Sequence, residues 1–579
     1  MFLRWILLRL LSVLLPLAIT SSLYLYLYPV FHRCAFPLPG DSNGGPISRS
    51  FIDTLRQHLV PQYAGDPAIF RLLVLADPQL EGDSSLPKPE NELTARVQHH
   101  WSTVKSALNE TQSPVHRHVY TALSTALHTL ATHDIPRALR AARKRVDLLG
   151  NDYYLAHIYR TLYWWSRPTH VTVLGDLIGS QWVTDGEFDR RGRRYWDRVF
   201  KGGERVHDNI TVSGARGEVE AEKGEEALET LDASPDNAWA RRIINVVGNH
   251  DIGYAGDANE ARMERFERMF GRANWDVRFQ HPPLQLPDNS SVTPTLHLIN
   301  LNTLTLDSPA LSAQVQADSY AYVNDLIMKR SYPVEDRTTF TLLLTHLPLH
   351  KPDGVCTDGP YFSFFDADDE DGPDDVPRFK AGGLREQNHL SEGISATGVL
   401  QGIFGMSGEE DGPGGGWGRN GLILTGHDHT GCDVVHYVDR TPAEVTETSD
   451  EDEEGNEREN EAKSWRWNAR RSDEPAPESR TPSIREVTLR SMMGEYGGYA
   501  GLLSLWFDAD PAVNEWRYEI TMCSAGVQHI WWAVHVIDLV TVLLVVVYSV
   551  VGSGSTPVKR QPSPGAQGKE AKAALIMYH

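Results

Sequence analysis

Apolar, largely β-branched residues gather along this chain in short runs, each of which stops at a polar block. The runs at 71–76, 171–174, 243–247, 339–344 and 422–425 predict buried strands, because each ends after about four to six positions with Gly or Pro close by in most cases. The blocks that follow are Asp77-Pro78-Gln79, Gly175-Asp176, Gly248-Asn249-His250-Asp251, Thr345-His346 and Gly426-His427-Asp428-His429. Ligand groups of layered α/β folds collect just beyond the carboxyl ends of such strands. Five strands ending this way surround one small pocket with oxygen and nitrogen donors. Taken singly, a Gly-Asp pair, an Asp-Pro pair or a lone histidine reads as a turn or a core residue; their joint occurrence after apolar runs favours a site.

Further strands are expected at 434–438, which makes His436 structural, and at 487–489 and 502–507. Residues 92–149 are rich in helix formers and carry a basic run at 137–145, read as a solvated helix face, with anionic lipid contact as the alternative. The segment 181–200 follows Asp176 closely enough to line its pocket, where one or two of its tryptophans and arginines would touch a sugar or phosphate, with a core role for Trp182 and Trp196 the favoured reading. The stretches 218–237, 366–375, 405–418 and 441–482 are charged, polar or Gly-rich and read as mobile insertions, since low hydrophobicity does not offset ordering entropy.

Apolar stretches lie near both ends. Residues 5–28 contain Arg9 and finish on Tyr24, Tyr26 and Tyr28, an aromatic belt; without a small-x-small site after the apolar core, an uncleaved anchor over 1–29 is favoured over a cleaved signal peptide. Residues 530–551 are long enough to cross a hydrocarbon core of about 30 Å. Arg4 and Arg9 at one end and Lys559, Arg560, Lys569 and Lys572 at the other place both termini in the cytosol and the middle of the chain in a lumen. Asn109-Glu110-Thr111, Asn209-Ile210-Thr211 and Asn289-Ser290-Ser291 are glycosylation sequons that agree with this. Asp538 and His535 share a helical face inside the second stretch; Asp538 is expected to pair with Arg9, to snorkel or to be protonated.

The expected organisation is therefore an anchor over 1–29, a lumenal domain over 70–440, an acidic insertion over 441–482, completing strands over 483–528, a second span over 530–551 and a cytosolic tail over 552–579. The formal charge of −22 argues against a polynucleotide partner, whose phosphates demand basic surface. Cys34, Cys356, Cys432 and Cys523 all fall between the spans, where an oxidising lumen permits disulfides. A Cys356–Cys432 bridge would tie together two loops that follow metal-bearing blocks, and Cys34 with Cys523 would close a second; unpaired thiols remain the alternative, since connectivity is not deducible from sequence.

Asp, Asn and His donors without cysteine suit hard or borderline divalent cations. Two such ions generate hydroxide at neutral pH and clamp a phosphoryl group, with Asp176 the natural bridging carboxylate. The order and spacing of the blocks closely resemble the calcineurin-like metallophosphoesterases, whose usual pattern is D-x-H, G-D, G-N-H-D, a lone His, then G-H-x-H. The resemblance implies an α/β fold of two packed sheets flanked by helices, here with two transmembrane helices added. It further implies that Asp77 and His429 bind one metal, Asn249, His346 and His427 the other, and Asp176 both. His250 would face the substrate phosphate and leaving-group oxygen, with Asn249 beside it and Asp251 orienting its ring. Gln79 stands where the family usually has a metal-binding His, a weaker and neutral donor.

Ala76-Asp77-Pro78-Gln79-Leu80, GNHDIG at 248–253 and Arg265-Phe266-Glu267, set between two spans, are similar to the secretory-pathway branch that trims glycosylphosphatidylinositol (GPI) anchors. That likeness implies a phosphodiesterase removing ethanolamine-phosphate from a mannose of the anchor glycan. It also implies two divalent ions, typically Mn2+ with Fe, Zn or Mg as alternatives, a GPI-lipid or GPI-anchored protein as substrate, contacts with cargo receptors, and residence in the endoplasmic reticulum or Golgi membrane. The rival readings are a phosphoesterase for another lipid or small phosphoester and a trafficking scaffold that has lost catalysis.

Overall fold

The computed structural model describes residues 2–38, 51–59, 70–82, 86–109, 115–214, 228–231, 238–286, 289–330, 333–366, 378–440, 465–476 and 480–553. Two units separate: one holds the described residues of Met1–Leu25 and Trp532–His579, the other Tyr26–Trp531.

In the larger unit a six-stranded sheet runs in the order β18 (Glu515–Ser524), β17 (Tyr499–Asp508), β1 (Phe70–Leu75), β2 (His170–Val173), β5 (Arg242–Asn245) and β3 (Glu204–Arg205). The second sheet has eight strands: β15 (Arg466–Arg471), β14 (Cys432–Asp439), β16 (Ser483–Thr488), β13 (Gly421–Thr425), β10 (Thr339–Thr345), β9 (Thr295–Leu301), β6 (Trp275–Gln280) and β4 (Leu228–Thr230). Two small ribbons, β7 (Leu284–Gln285) with β8 (Ser291–Val292) and β11 (Phe362–Phe364) with β12 (Leu384–Gln387), complete the strands.

β1, β2 and β5 are parallel neighbours, as are β10 and β13. Every residue of β1, β2 and β10 is buried, which is why these strands read as continuous apolar runs. The sheets pack through one apolar core that includes Phe70, Leu72 and Val74 from the first and Phe340, Leu342, Leu344, Leu422 and Leu424 from the second. The Trp516 indole N–H crosses between them to the Thr338 carbonyl at 2.7 Å.

Outside the sheets lie α3 (Leu93–Asn109), α4 (Val115–Thr129), α5 (Ile135–Ser166), α6 (Asp185–Arg194), α8 (Glu260–Phe270) and α9 (Ala313–Met328), with a one-turn α7 (Asn249–Ile252) at the end of β5 and α2 (Phe51–Leu59) after the first apolar helix. The expected α/β fold with two sheets and flanking helices is what the chain adopts. Disulfides join Cys34 to Cys523 and Cys356 to Cys432.

Three of the presumed insertions contain order. β4 lies within 218–237 and β15 within 441–482, each completing an edge of the larger sheet. Residues 405–418 form a bridge between Met406 and Trp417 around a short turn of Gly residues. Polarity misleads at such places because an edge strand obtains its hydrogen bonds from one neighbour and leaves its other side to solvent. The rest of the acidic runs, including 367–375 and 441–464, lies outside the described residues, as does the tail over 554–579. Trp196 packs against Tyr195 and Phe270 as expected, but Trp182 is 46% exposed and lies under the Arg262 guanidinium.

The smaller unit consists of the first part of α1 (Phe2–Phe31) and most of α10 (Gln528–Ser553). Both are long and apolar enough to cross a membrane. Asp538 is not paired with Arg9; it accepts a hydrogen bond from the Ser22 hydroxyl at 2.9 Å, and Arg9 lies over the Trp5 ring. A hydroxyl on the facing helix satisfies the carboxyl without a second buried charge.

Candidate active site

The chain leaves β1, β2, β5, β10 and β13 at their carboxyl ends and brings Asp77, Asp176, Asn249, His346 and His427 together there, three positions from one sheet and two from the other. Asp77, Gln79, Asp176 and His427 take left-handed backbone, with φ of 50°, 40°, 53° and 72°. Non-glycine residues rarely do so, and such strain gathers at functional sites. The turn is tight enough to demand glycine beside it. Gly175 has φ of 87°, and a Cβ there would lie 2.3 Å from the His346 ring; one on Gly248 would come within 2.0 Å of the Asp176 backbone nitrogen.

One donor cluster is formed by Asn249, His346 and His427. The His346 Nδ1 is 2.8 Å from the Leu174 carbonyl and the His427 Nε2 is 2.9 Å from the Gln387 carbonyl. Each ring therefore donates outward and turns its other nitrogen, as a lone pair, toward Asn249 Oδ1, at 2.9 and 3.1 Å. Burial lowers the pKa of both rings, that of His427 to about 3, so they stand neutral, the form that binds metal. Lone pairs facing one another this closely with no proton between them fit a cation that the three residues would share. His346 Nε2 is also 3.4 Å from Asp176 Oδ1.

The second cluster is Asp77, Asp176 and His429, whose ligand atoms lie within 4.8 Å of one another. Asp176 thus belongs to both. Asp77 Oδ1 accepts from the His427 amide at 3.2 Å, while Oδ2 is buried with no hydrogen-bond partner among the described residues. Burial and the nearby Asp176 push the Asp77 pKa well up; burial also opposes charge on Asp176, yet His346 and His250 hold its pKa down. A buried carboxylate oxygen without a donor fits a cation. Gln79 presents Nε2 to Asp176 Oδ2 at 3.0 Å and to His429 Nε2 at 3.1 Å; a half-turn about its last torsion exchanges this nitrogen for the oxygen.

His250 sits at the start of α7. Its amide donates to Asp176 Oδ1 at 2.8 Å, and its ring, 37% exposed, has Nε2 3.8 Å from Asp176 Oδ2. Asp251 does not orient that ring. Its oxygens accept the backbone N–H groups of Leu177, Ile178 and Gly248 at 3.2, 2.9 and 2.8 Å, pinning the loop after β2 to α7 and so fixing where Asp176 and Asn249 stand.

Beside His427 and His429 opens a cleft of about 340 Å³ lined also by Lys351, Thr357, Asn388, His389, Thr430 and Tyr496, with Cys356 and Cys432 on its wall. None of Lys351, Asn388 and His389 was found from sequence. They come from loops after β10 and β12, remote from the motif spacing. Lys351 and His436 grip Glu486 at 2.8 and 2.6 Å, and Glu486 also accepts from the Leu349 amide at 3.2 Å. Nothing in the residues around Glu486, in the mixed strand Ser483–Thr488, marks it as a buried acid, and its bond to His436 explains why that histidine is structural.

No family model matches the chain. It is 32% identical over 425 residues to Protein TED1 of Saccharomyces cerevisiae, covering 69% of this chain and 77% of that one. The chain belongs to the calcineurin-like metallophosphoesterases. It is also 24% identical to an uncharacterized protein of Schizosaccharomyces pombe, over 70% of this chain and 81% of that one. Metallophosphoesterase 1 of Danio rerio is 21% identical over 50% and 60%. As a metallophosphoesterase, the protein is a metal-dependent phosphoesterase; Asp77, Asp176 and His429 are grouped so that they could hold a divalent ion, and its two apolar helices fit membrane association.

Proposed function

We propose that this metallophosphoesterase is a membrane-tethered, lumenal phosphodiesterase that uses two divalent ions, Mn2+ first among them, to remove ethanolamine-phosphate from a mannose of the GPI-anchor glycan. The observation that carries the reading is the pair of donor clusters sharing Asp176 beside the cleft. Asp77, His429 and Gln79 would hold one ion, Asn249, His346 and His427 the other. Bound there, the ions supply Lewis-acid stabilisation of the phosphoryl oxygens and a nucleophile at neutral pH.

The chain's own groups do the rest. Asp176 is held by the His250 amide so that its carboxylate faces both clusters. Asn249 and His250 present polar atoms where negative charge grows on phosphorus, and the His250 ring, partly open to solvent, is placed to give a proton to the departing sugar oxygen. In the cleft, Thr357, Asn388, Thr430 and Tyr496 offer neutral hydroxyl and amide groups. His389, made neutral by burial with a pKa lowered to about 4, donates Nδ1–H to the Leu390 carbonyl and keeps Nε2 as an acceptor. Such a lining suits a hydroxyl-rich glycan better than a second anion.

Residence between endoplasmic reticulum and Golgi, with both termini cytosolic, is supported by the charge asymmetry of the ends, by two disulfides and by the exposure of Asn109, Asn209 and Asn289, the three sequon acceptors. Mass spectrometry of anchor glycans from cells with and without the protein, joined to turnover of an ethanolamine-phosphate mannoside by the purified full chain, tests the reading. Loss of activity on that substrate with retained cleavage of simple phosphoesters would leave another phosphoester as the substrate.

A further inference from the structure

The long helix α5 carries an exposed apolar stripe. Leu139, Val146, Leu149, Tyr153 and Trp164 are 66%, 54%, 42%, 45% and 67% exposed. At 100° per residue they fall within an arc of about 80°, in which the exposed Arg160 also lies, so they form one line along the helix with a cation near its end. An exposed apolar line of this length is unusual on a soluble surface and marks an interaction site.

Its occupant is named by what flanks it and by where the helix is fastened. Between residues 135 and 149 the helix has five cations, Arg137, Arg140, Arg143, Lys144 and Arg145, against the single acid Asp147, in a chain whose formal charge is −22. Arg143 and Arg145 border the stripe on its two sides, each with an acid beyond it, Asp147 and Glu92. An apolar line bordered by arginine and ending in Tyr and Trp is the composition of a helix lying in a membrane interface.

The same helix receives the chain at both points where the apolar helices join the larger unit. At the entry, Trp165 Nε1 donates to the Tyr26 carbonyl at 2.8 Å and His157 meets the Tyr26 ring edge-on. At the exit, Tyr154 packs edge-on against Trp531 and donates its hydroxyl to the Gly526 carbonyl at 3.0 Å, and Gln528 reaches Asn151 at 3.2 Å. Tyr26 and Trp531 are covalently continuous with the apolar segments on either side. Contacts to both hold α5 next to the residues from which those segments continue.

We propose that α5 is an interfacial membrane helix, its Leu139–Trp164 stripe seated among lipid headgroups and upper acyl chains, so that the phosphoesterase works on lipid-borne substrate from a surface and not from a flexible tether. The proposal rests on α1 and α10 being membrane spans, but not on which phosphoester is cleaved.

The full chain, reconstituted in phosphatidylcholine vesicles containing phosphatidylserine, tests it with an environment-sensitive fluorophore on V146C or W164C and, as reference, on R140C, which faces away from the stripe. Emission from 146 and 164 is expected to shift to the blue and to be quenched by lipids spin-labelled near the headgroup, with 140 unaffected. Water-like emission at 146 and 164 would overturn the proposal. So would blue-shifted emission without lipid quenching, the mark of a protein partner or a second copy. In parallel, L139S/V146S/Y153S is expected to lose cleavage of a vesicle-borne phosphodiester while keeping cleavage of a soluble nitrophenyl phosphoester. Equal loss on both substrates would mean a structural role and also sink it.

Discussion

Gln79 and Asp176 are joined by a 3.0 Å hydrogen bond from amide to carboxylate, and the same amide nitrogen lies 3.1 Å from His429 Nε2. The amide therefore occupies the place beside the shared carboxylate where the family usually has an imidazole. Gln79→His should increase retention of metal through dialysis, and Gln79→Ala should weaken it by about tenfold, the scale seen when groups around a metal are removed. Metal content by elemental mass spectrometry, at matched folding, checks both.

His250→Ala is expected to lower kcat by about 10²- to 10⁴-fold while metal content stays unchanged, because the ring is no part of either donor cluster. Asp176→Asn should instead lose metal and turnover together. Measuring both quantities on both variants separates the roles; loss of metal from His250→Ala would remove it from the chemistry.

The Lys351–Glu486–His436 group predicts acid sensitivity. Burial opposes the charge on Glu486, but Lys351 and His436 outweigh it and lower its pKa from 4.5 to about 2. Because the folded-state pKa is the lower one, the stabilisation is fully present above about pH 4.5 and is lost as pH falls toward about 2. Its size is roughly 3 kcal/mol. Urea midpoints between pH 6 and pH 2.5 should fall for the native chain, and fall less steeply for Glu486→Gln, which starts from lower stability.

The Cys356–Cys432 bridge closes a loop over a sequence separation of 76 and forms a wall of the cleft. Cys356→Ser with Cys432→Ser should destabilise the protein by about 2–4 kcal/mol and raise KM more than it lowers kcat, since the bridge walls the cleft and is itself no metal donor. Thermal melting and steady-state kinetics provide the test.

Much of the site was legible because its donors follow strands whose two faces are both buried. The run before Asp77 and the run before His346 announce themselves by apolar continuity, and the tight Gly175 and Gly248 turns mark where the runs at 171–174 and 243–247 stop. Lys351 and His389 were invisible, since their loops are neither apolar nor periodic, and Asp251 was misread because its partners are backbone groups that no side-chain pattern encodes. β4 and β15 were taken for insertions because edge strands need little apolar surface of their own.

By itself the chain determined the five strand ends, the ligand types, the two apolar helices and the family pattern, all of which depend on residue chemistry and near neighbours. Only the tertiary structure decided that β1, β2 and β5 of one sheet and β10 and β13 of the other deliver Asp176 into two donor clusters at once, that Asp538 meets Ser22, and that α5 meets both Tyr26 and Trp531. Those are contacts between residues tens to hundreds of positions apart, and they follow from how the apolar faces of two sheets pack, which local patterning leaves open.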